Sequence, residues 1–323
     1  MRPRSIFAIA TALLAACVGG GQTPGERRGQ LPADGAAGSV RSEGADIHYR
    51  VYGAGPALLV LNGGFGRDSS GFESLAKPLS ATHQVILCDP RGTGRSALPT
   101  VNSENVTLAL MLEDIEAIRR ALGHDSWSVL GHSFGGMVAC AYTAAHPDRV
   151  DRLVLSSSSG IDRSLFEGDA RGFIQARLSQ GDRESLLAME KAYEAGDTSD
   201  DFMRRFAEVL ARAYVVDDDK SPWVQARLQS GNDAVAKLLT ADLSRTDFDC
   251  KPQLRGFERP VLIIHGEQDV FPLAISELAQ QTFPSAELFV LPRAGHYGWI
   301  DRPAAYLAKV TEFLAAGASP ARR

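Results

Sequence analysis

The chain has 323 residues, of which 44% are hydrophobic and 23% are charged, and this composition is typical of a globular protein rather than a disordered or fibrous one. Its formal net charge is -5, and the sequence contains no dense run of lysine and arginine. Because a clustered basic face is needed to neutralise nucleic-acid phosphates, we expect a small or neutral substrate and no nucleic-acid partner.

The first 16 residues have the pattern of a secretory signal peptide. Arg2 and Arg4 precede an uncharged stretch that is shorter than the roughly 20 residues needed to span a bilayer as a helix. The stretch ends in Leu-Ala-Ala-Cys, which resembles the bacterial lipobox. That resemblance implies cleavage before Cys17, lipidation of this cysteine, and a membrane anchor in the bacterial envelope. Val18 follows the cysteine instead of aspartate, which by the sorting rule of bacterial lipoproteins favours the outer membrane, facing the periplasm, over the inner membrane. Ordinary secretion without lipid is the alternative.

Residues 17–39 are rich in glycine, proline, alanine and charged residues and have no apolar periodicity. This composition predicts a flexible tether that follows the lipidated cysteine. We expect the folded part of the chain to extend from residue 40 to residue 316 and to be followed by a short tail at residues 317–323.

From residue 40 onward, short β-rich segments alternate with helical patterns, which predicts βαβ units around a mostly parallel sheet. Several of the β-rich segments are continuous apolar runs, as expected for strands that are covered by helices on both faces. Apolar residues at helical spacing predict a helix at residues 108–122, and an alanine-rich segment that ends before His146-Pro147 predicts another at residues 134–145. The predicted strands are residues 46–52, 57–61, 84–88, 126–130, 153–157, 260–265 and 287–291.

The strand predicted at residues 126–130 leads into the motif G-x-S-x-G. In this motif a strand turns sharply into a helix, so that Gly131 and Gly135 leave room for the neighbouring backbone and Ser133 is raised above the sheet. A serine hydroxyl in this position can attack a carbonyl carbon when a general base accepts its proton. We therefore predict Ser133 as a nucleophile. The alternative is that Ser133 only caps the helix that follows.

No strand pattern occurs from residue 161 to residue 255, where the sequence shows charged helical patterns at residues 202–214 and 233–243. The strand pattern resumes at residue 260. We therefore predict that residues 161–255 form a helical cap inserted between the two parts of the core, residues 40–160 and 256–316.

A general base and the carboxylate that orients it are expected in the loops after the last two strands. His296 is the histidine that follows the last predicted strand, and Asp269 follows the strand before it. We predict His296 as the base and Asp269 as its partner, although Asp269 could instead hold a turn or cap a helix. The alternative partners are Glu267, followed by Asp247 or Asp249.

A tetrahedral intermediate with a negatively charged oxygen requires two backbone N–H donors. Phe134 supplies one of them, because it directly follows Ser133 at the start of a helix whose dipole favours negative charge. The second donor is expected in the glycine-rich segment at residues 62–66, where the backbone can approach the substrate closely. Gly64 is the preferred residue and Phe65 is the alternative.

Together these motifs resemble the α/β-hydrolase superfamily over residues 40–316, and within it the proline-iminopeptidase-like branch. That branch carries HGGPG and then DQRGxGxS, and here residues 62–66 read NGGFG and residues 89–96 read DPRGTGRS. The resemblance implies an α/β-hydrolase fold, with a mostly parallel twisted sheet flanked by helices and an inserted helical cap. Peptidases of the branch bind the amino group of the substrate with cap glutamates, one of them in a Trp-x-x-Trp-Glu-like segment, whereas Trp223 is followed by Val224 here.

Three functions are compatible with these observations. The first is hydrolysis of a carboxylic ester or similar small acyl substrate through an acyl-serine intermediate. The second is an aminopeptidase that releases N-terminal residues from peptides, and the third is a non-catalytic protein that binds a ligand. The serine, aspartate and histidine favour an enzyme, and the missing cap glutamate favours the ester over the peptide.

We expect no cofactor and no metal ion. The glycine-rich run at residues 92–97 imitates a dinucleotide fingerprint, but a loop follows it where a helix should begin, and no metal-binding spacing occurs in the sequence. Asp89 and Arg91 in the same segment are expected to hold a turn. Cys88, Cys140 and Cys250 have no Cys-x-x-Cys spacing, and we expect them to be buried as small apolar side chains. One disulfide between two of them is the alternative.

Overall fold

A computed structural model describes residues 35–164, 170–197 and 199–316, so the predicted signal peptide, Cys17, most of the tether and the tail lie outside the described residues. The described part contains one eight-stranded sheet with the strand order β1-β2-β4-β3-β5-β6-β7-β8. The strands are β1 (Ala36–Ser42), β2 (Ala45–Tyr52), β3 (Ala57–Leu61), β4 (Gln84–Cys88), β5 (Trp127–His132), β6 (Val150–Ser156), β7 (Val261–Gly266) and β8 (Ala286–Leu291).

The sheet is parallel from β4 to β8 and antiparallel only where β2 pairs with β1 and β4. This confirms the predicted mostly parallel sheet. Side chains that alternate along each central strand enter two apolar clusters, one shared with α1 and α12 and the other with α2 and α3. Helices therefore cover both faces, which explains why these strands are continuous apolar runs in the sequence.

The helices in chain order are α1 (Glu73–Leu79), α2 (Leu108–Ala121), α3 (Phe134–Ala145), α4 (Ala170–Arg177), α5 (Gln180–Glu194), α6 (Asp200–Ala213), α7 (Ser221–Gln229), α8 (Asp233–Arg245), α9 (Lys251–Leu254), α10 (Leu273–Thr282), α11 (Gly298–Asp301) and α12 (Pro303–Ala315). Helices α4 to α9 lie between β6 and β7 and form the predicted cap. An isolated antiparallel bridge between Asp162 and Asp249 joins the two ends of this insertion.

The N-terminal strand β1 differs from the sequence prediction, which assigned residues up to 39 to the tether. The strand begins at Ala36 and pairs with β2 through a tight turn in which Glu43 and Gly44 both have positive φ. Strand β1 is an edge strand made largely of small and polar residues, and much of it is exposed to solvent. Because it buries little apolar surface, its sequence has no apolar periodicity from which a strand could be predicted.

The segment at residues 89–96 has the turn-holding role that was predicted for it. The Asp89 carboxylate accepts hydrogen bonds from the backbone N–H groups of Ser69 and Arg95, each at 3.0 Å. The buried Arg91 guanidinium pairs with Asp114 through contacts of 2.7 and 2.5 Å. These side chains fix the loop that follows β4, and no helix opens after the glycines in this segment.

Cys88, Cys140 and Cys250 are buried and none of them is in a disulfide. Within the described ranges, no helix is both long enough and apolar enough to cross a bilayer.

Candidate active site

Ser133 occupies the turn between β5, which ends at His132, and α3, which begins at Phe134. Its φ of 53° and ψ of -122° are uncommon for a residue with a side chain. Neighbouring backbone holds this conformation, because Ser133 N–H donates to Ser156 O at 3.0 Å and Ser133 O accepts from Ser159 N–H at 3.1 Å. A strained conformation that the surrounding structure enforces is a feature of functional sites.

The glycines of the turn are required for space rather than for an unusual φ. A Cβ atom on Gly135 would lie 2.3 Å from the carbonyl oxygen of Leu61 and 2.6 Å from that of Asn62. A Cβ atom on Gly131 would lie 2.3 Å from the carbonyl oxygen of Gly135. Any larger residue at either position would push α3 away from β3 or β5, and Ser133 would move with it.

The structure brings His296 and Asp269 together below the cap. Nδ1 of His296, in the loop after β8, lies 2.8 Å from Oδ1 of Asp269, in the loop after β7. Phe271 N–H also donates to Oδ1 at 3.0 Å. Burial by itself raises the pKa of the Asp269 carboxyl, but the charge and hydrogen bond of His296 and the charge of His265 outweigh burial and lower this pKa below its usual range.

The alternative carboxylates have other partners. Glu267 is exposed and accepts a hydrogen bond from Arg293 N–H at 2.9 Å. Asp247 is almost fully exposed and lies 3.4 Å from Arg163, and Asp249 lies 3.4 Å from Lys251. Among the four predicted candidates, Asp269 is therefore the one that contacts the histidine.

His296 is packed against the residue that precedes the serine. Its ring lies 4.7 Å from the ring of His132, measured between centroids, and His132 is directly followed by Ser133 in the turn. Phe271, Tyr214 and Tyr297 present further ring contacts to His296 at 4.7, 5.2 and 5.3 Å. These rings restrict the rotation of the imidazole, so the histidine has one orientation beside the serine turn.

The candidate oxyanion donors lie on two loops that pack against each other. Phe134 is the first residue of α3, so its N–H has no acceptor within the helix. The backbone of Gly63 lies against the serine, since a Cβ atom on Gly63 would be 2.8 Å from Ser133 Cβ. Gly64 follows with φ of 90°, and the rings of Phe65 and Phe134 stack at 4.0 Å. The structure thus places the segment that contains Gly64 next to Ser133.

The comparisons with known proteins agree with this fold. A sequence model of the alpha/beta hydrolase fold matches residues 56–303, which is more than three quarters of the chain. The protein belongs to the α/β-hydrolase family. The proline iminopeptidase of Heyndrickxia coagulans is 27% identical over 270 residues, covering 81% of this chain and 91% of that protein.

Two further relatives illustrate the range of the family. A putative carbamate hydrolase of Caulobacter sp. (strain K31) is 29% identical over 284 residues, covering 84% of this chain and 97% of that protein. An esterase structure from Rhodococcus sp. ECU1013 has a TM-score of 0.67 at 24% identity and covers 88% of this chain and 99% of that one. The chain is therefore a hydrolase of the α/β family, and its fold spans almost the full length of these relatives.

In this α/β hydrolase, the cap contacts the loop that holds the histidine. His296 N–H donates to the carbonyl oxygen of Tyr214, just after α6, at 2.9 Å. The buried carboxylate of Asp301 accepts from Gly295 N–H at 2.7 Å and from Val216 N–H at 3.2 Å, so that it joins the histidine loop to the cap. Asp301 was not predicted as a site residue, because in the sequence it resembles an ordinary polar residue before the helix that starts at Pro303.

The cap also contacts the loop between β3 and α1 through Arg227, which the sequence analysis did not identify. Its guanidinium is buried and donates to Gly63 O at 3.2 Å, Asp68 O at 2.9 Å and Ser70 O at 2.6 Å. Arg227 is the one charged residue of α7, and no sequence motif marks it as a site residue. Only the folded structure shows that its charge is turned inward.

Proposed function

We propose that this α/β hydrolase is a serine esterase that cleaves a carboxylic ester or similar small acyl substrate through an acyl-Ser133 intermediate. The buried pair of His296 and Asp269, beside a serine held in a strained turn, is the observation that carries this proposal. Such a pair supplies the base that a serine hydroxyl lacks at neutral pH. A serine that only caps a helix does not require either the strained φ or the histidine beside it.

The reaction follows from this arrangement in two steps. Ser133 Oγ attacks the carbonyl carbon of the substrate while Nε2 of His296 accepts the hydroxyl proton, and the N–H groups of Phe134 and Gly64 stabilise the negative oxygen of the tetrahedral intermediate. His296 then donates this proton to the departing alcohol, which leaves an acyl-serine. Water then attacks the acyl carbon while His296 accepts its proton. His296 returns this proton to Ser133 Oγ as the bond between Oγ and the acyl carbon breaks, which releases the carboxylic acid and free Ser133.

An aminopeptidase is the second candidate, because the Heyndrickxia coagulans relative is a proline iminopeptidase. Such a substrate brings a free ammonium group into the site. Peptidases of that branch bind this group with cap glutamates, one of them in a Trp-x-x-Trp-Glu-like segment. Here Trp223 is followed by Val224 and no such glutamate is present, so we favour the ester.

The test compares the wild type with Ser133→Ala. We expect p-nitrophenyl acyl esters to be hydrolysed faster than aminoacyl amides, and a fluorophosphonate probe to label the wild type at Ser133. The Ser133→Ala protein should fold, with a circular dichroism spectrum like that of the wild type, and should show neither hydrolysis nor labelling. Retained hydrolysis in this variant would refute the assignment of the nucleophile, and faster cleavage of the amides would favour the aminopeptidase.

We further propose that the mature protein is attached to the bacterial envelope through lipid on Cys17, on the outer membrane facing the periplasm. The Leu-Ala-Ala-Cys sequence after an apolar segment supports the lipid anchor, and Val18 after the cysteine favours the outer over the inner membrane. Mass spectrometry of the mature N-terminus tests it. An acylated N-terminal Cys17 is expected, and an unmodified N-terminus would refute the lipid anchor.

A further inference from the structure

We propose that Arg227, on the cap helix α7, is a positioning residue that sets the direction of the Gly64 N–H and thereby assembles the oxyanion hole when the cap is docked. This inference rests on the proposed serine hydrolase function, because an oxyanion hole is needed only if Ser133 forms a tetrahedral intermediate. Arg227 itself does not touch the reacting atoms.

The Arg227 side chain by itself links both ends of the loop between β3 and α1. Arg227 donates to the carbonyl oxygens of Gly63, Asp68 and Ser70, which lie at the two ends of the segment between β3 and α1. Its guanidinium also lies 5.3 Å from the centroid of the Phe72 ring. A buried guanidinium is a strong and rigid donor, since it presents several N–H groups in one plane. The loop is therefore held in one conformation by the cap.

The second observation concerns the peptide unit that joins Gly63 to Gly64. In a trans peptide the C=O of one residue and the N–H of the next point in opposite directions. A hydrogen bond from Arg227 Nη2 to Gly63 O, supported by Asn62 Nδ2 at 3.3 Å, therefore also fixes where the Gly64 N–H points. The same hydrogen bond polarises the peptide and strengthens the N–H as a donor.

The third observation is that this peptide would otherwise rotate easily. It is flanked by two glycines, and Gly64 has φ of 90°, so no side chain opposes a rotation of the peptide plane. Gly63 has its backbone against Ser133 and His132, at the centre of the site. A rotated peptide would direct a carbonyl oxygen instead of an N–H toward the negative charge of the intermediate.

Two neighbouring contacts show that the cap is fastened to this loop at the same corner. Asn232 N–H, between α7 and α8, donates to Gly66 O at 2.8 Å, and the Arg67 guanidinium donates to Ser230 O. Asn232 Nδ2 also donates to Gly92 O at 2.9 Å. The corner at residues 227–232 therefore moves together with the loop that carries Gly64, and undocking the cap would release Gly63 O.

The experiment measures kcat, KM and the inhibition constant of a boronic acid, which forms a tetrahedral adduct with the serine, for Arg227→Met and Arg227→Lys. Loss of one oxyanion donor costs about 10²–10³ in kcat, and we expect Arg227→Met to approach this loss with KM unchanged. The inhibition constant of the boronic acid should rise together with the fall in kcat. Arg227→Lys, which keeps the charge but not the planar set of donors, should show a smaller loss.

The control is Arg204→Met on the neighbouring helix α6. The Arg204 side chain is more than half exposed and pairs only with Asp201 and Glu208 among the ion pairs of the described residues, so kcat should stay at the wild-type value. A parallel rise in KM and fall in melting temperature, without weaker boronic acid binding, would overturn the positioning role. If Arg227→Met does not fold, wild-type kcat in Arg227→Lys overturns it instead.

The two proposals fail in different ways. If the wild type is not labelled by a fluorophosphonate at Ser133, the proposed function is refuted and this inference with it. If the wild type is labelled and the Arg227→Met protein is labelled at an equal rate, the function stands and only the role of Arg227 is refuted.

Discussion

Nδ1 of His296 lies 2.8 Å from Oδ1 of Asp269, and the two side chains are 2% and 0% exposed. An ionised carboxylate can only accept hydrogen bonds, so Nδ1 of the imidazole must carry the proton in this contact. The other ring nitrogen, Nε2, is then the one that can accept a proton from Ser133. A single buried hydrogen bond thus selects the tautomer of the imidazole that the proposed mechanism needs.

Replacing Asp269 by asparagine removes this selection while keeping the size of the side chain. The amide group of asparagine can donate to Nδ1, which favours the tautomer with its proton on Nε2. In serine proteases the corresponding change lowers kcat by about 10⁴, and we expect a loss of this order for Asp269→Asn. Steady-state hydrolysis of a p-nitrophenyl ester measures it.

The matched control for this variant is Glu267→Gln, two residues earlier in the same loop. The Glu267 side chain is exposed and accepts a hydrogen bond from Arg293 N–H rather than from the histidine. We expect wild-type kcat in this variant. A large loss of kcat in Glu267→Gln together with a small loss in Asp269→Asn would show that Asp269 is not the partner of the histidine.

The central strands and the serine turn could be predicted because their signals are local. A strand buried on both faces must be apolar throughout, as in β3 and β7, and a nucleophile turn must have small residues at Gly131 and Gly135. The order of Ser133, Asp269 and His296 relative to the strands followed from the topology, since the carboxyl ends of parallel strands meet at one edge of the sheet. These three residues can therefore be identified from their positions in the sequence relative to the strands.

Residues whose roles depend on packing between distant segments could not be predicted. Arg227 lies more than 150 residues from the loop that it holds, and no motif in its own helix indicates the contact. Asp301 accepts hydrogen bonds from backbone N–H groups. Almost every residue has such a group, so no residue type in the sequence indicates which ones Asp301 binds. Edge strand β1, which begins at Ala36, has too little buried surface to impose a pattern. In each case the residues that make the contact are distant in the sequence or carry no pattern, so the contact is known only from the folded structure.

Gly135→Ala tests whether the serine turn depends on the close approach of α3 to β3. The added methyl carbon would lie within 2.6 Å of two backbone oxygens, which cannot move without shifting β3. We expect a loss of about 1–3 kcal/mol in the free energy of unfolding, as is usual for overpacked sites. A fall in kcat should accompany it, because Ser133 and the Phe134 N–H are displaced. Urea unfolding and ester hydrolysis measure the two effects.

Gly181→Ala is the control for this substitution. Gly181 lies in the first turn of α5, and a Cβ atom there would meet no other atom within 4 Å. Alanine at an open helical position stabilises a protein by about 0.4–1 kcal/mol, so this variant should be slightly more stable than the wild type with unchanged kcat. Equal stability of the two alanine variants would show that the turn tolerates a side chain and that the glycine is not required there.

Glu116 is the centre of a buried network that should make stability depend on pH. Its carboxylate accepts from Arg119 Nε at 2.7 Å and from the Tyr142 hydroxyl at 2.6 Å, and thereby links α2 to α3. The hydrogen bond from Arg119 is the main reason why the pKa of Glu116 falls to about 2, although burial opposes it. A carboxyl with a lowered pKa in the folded state stabilises the protein above its ordinary pKa of about 4.3, and this contribution is lost as the pH falls through about 2.

We therefore expect Glu116→Gln to lower the free energy of unfolding at pH 7 by about 3 kcal/mol, because it leaves a buried arginine without its charged partner. The difference from the wild type should be full above about pH 4.3 and should narrow as the pH approaches 2. Urea unfolding at several pH values measures it, with the exposed Glu113→Gln on the same helix as the control. A difference that stays constant across this range would mean that Glu116 stabilises the protein through packing rather than through its charge.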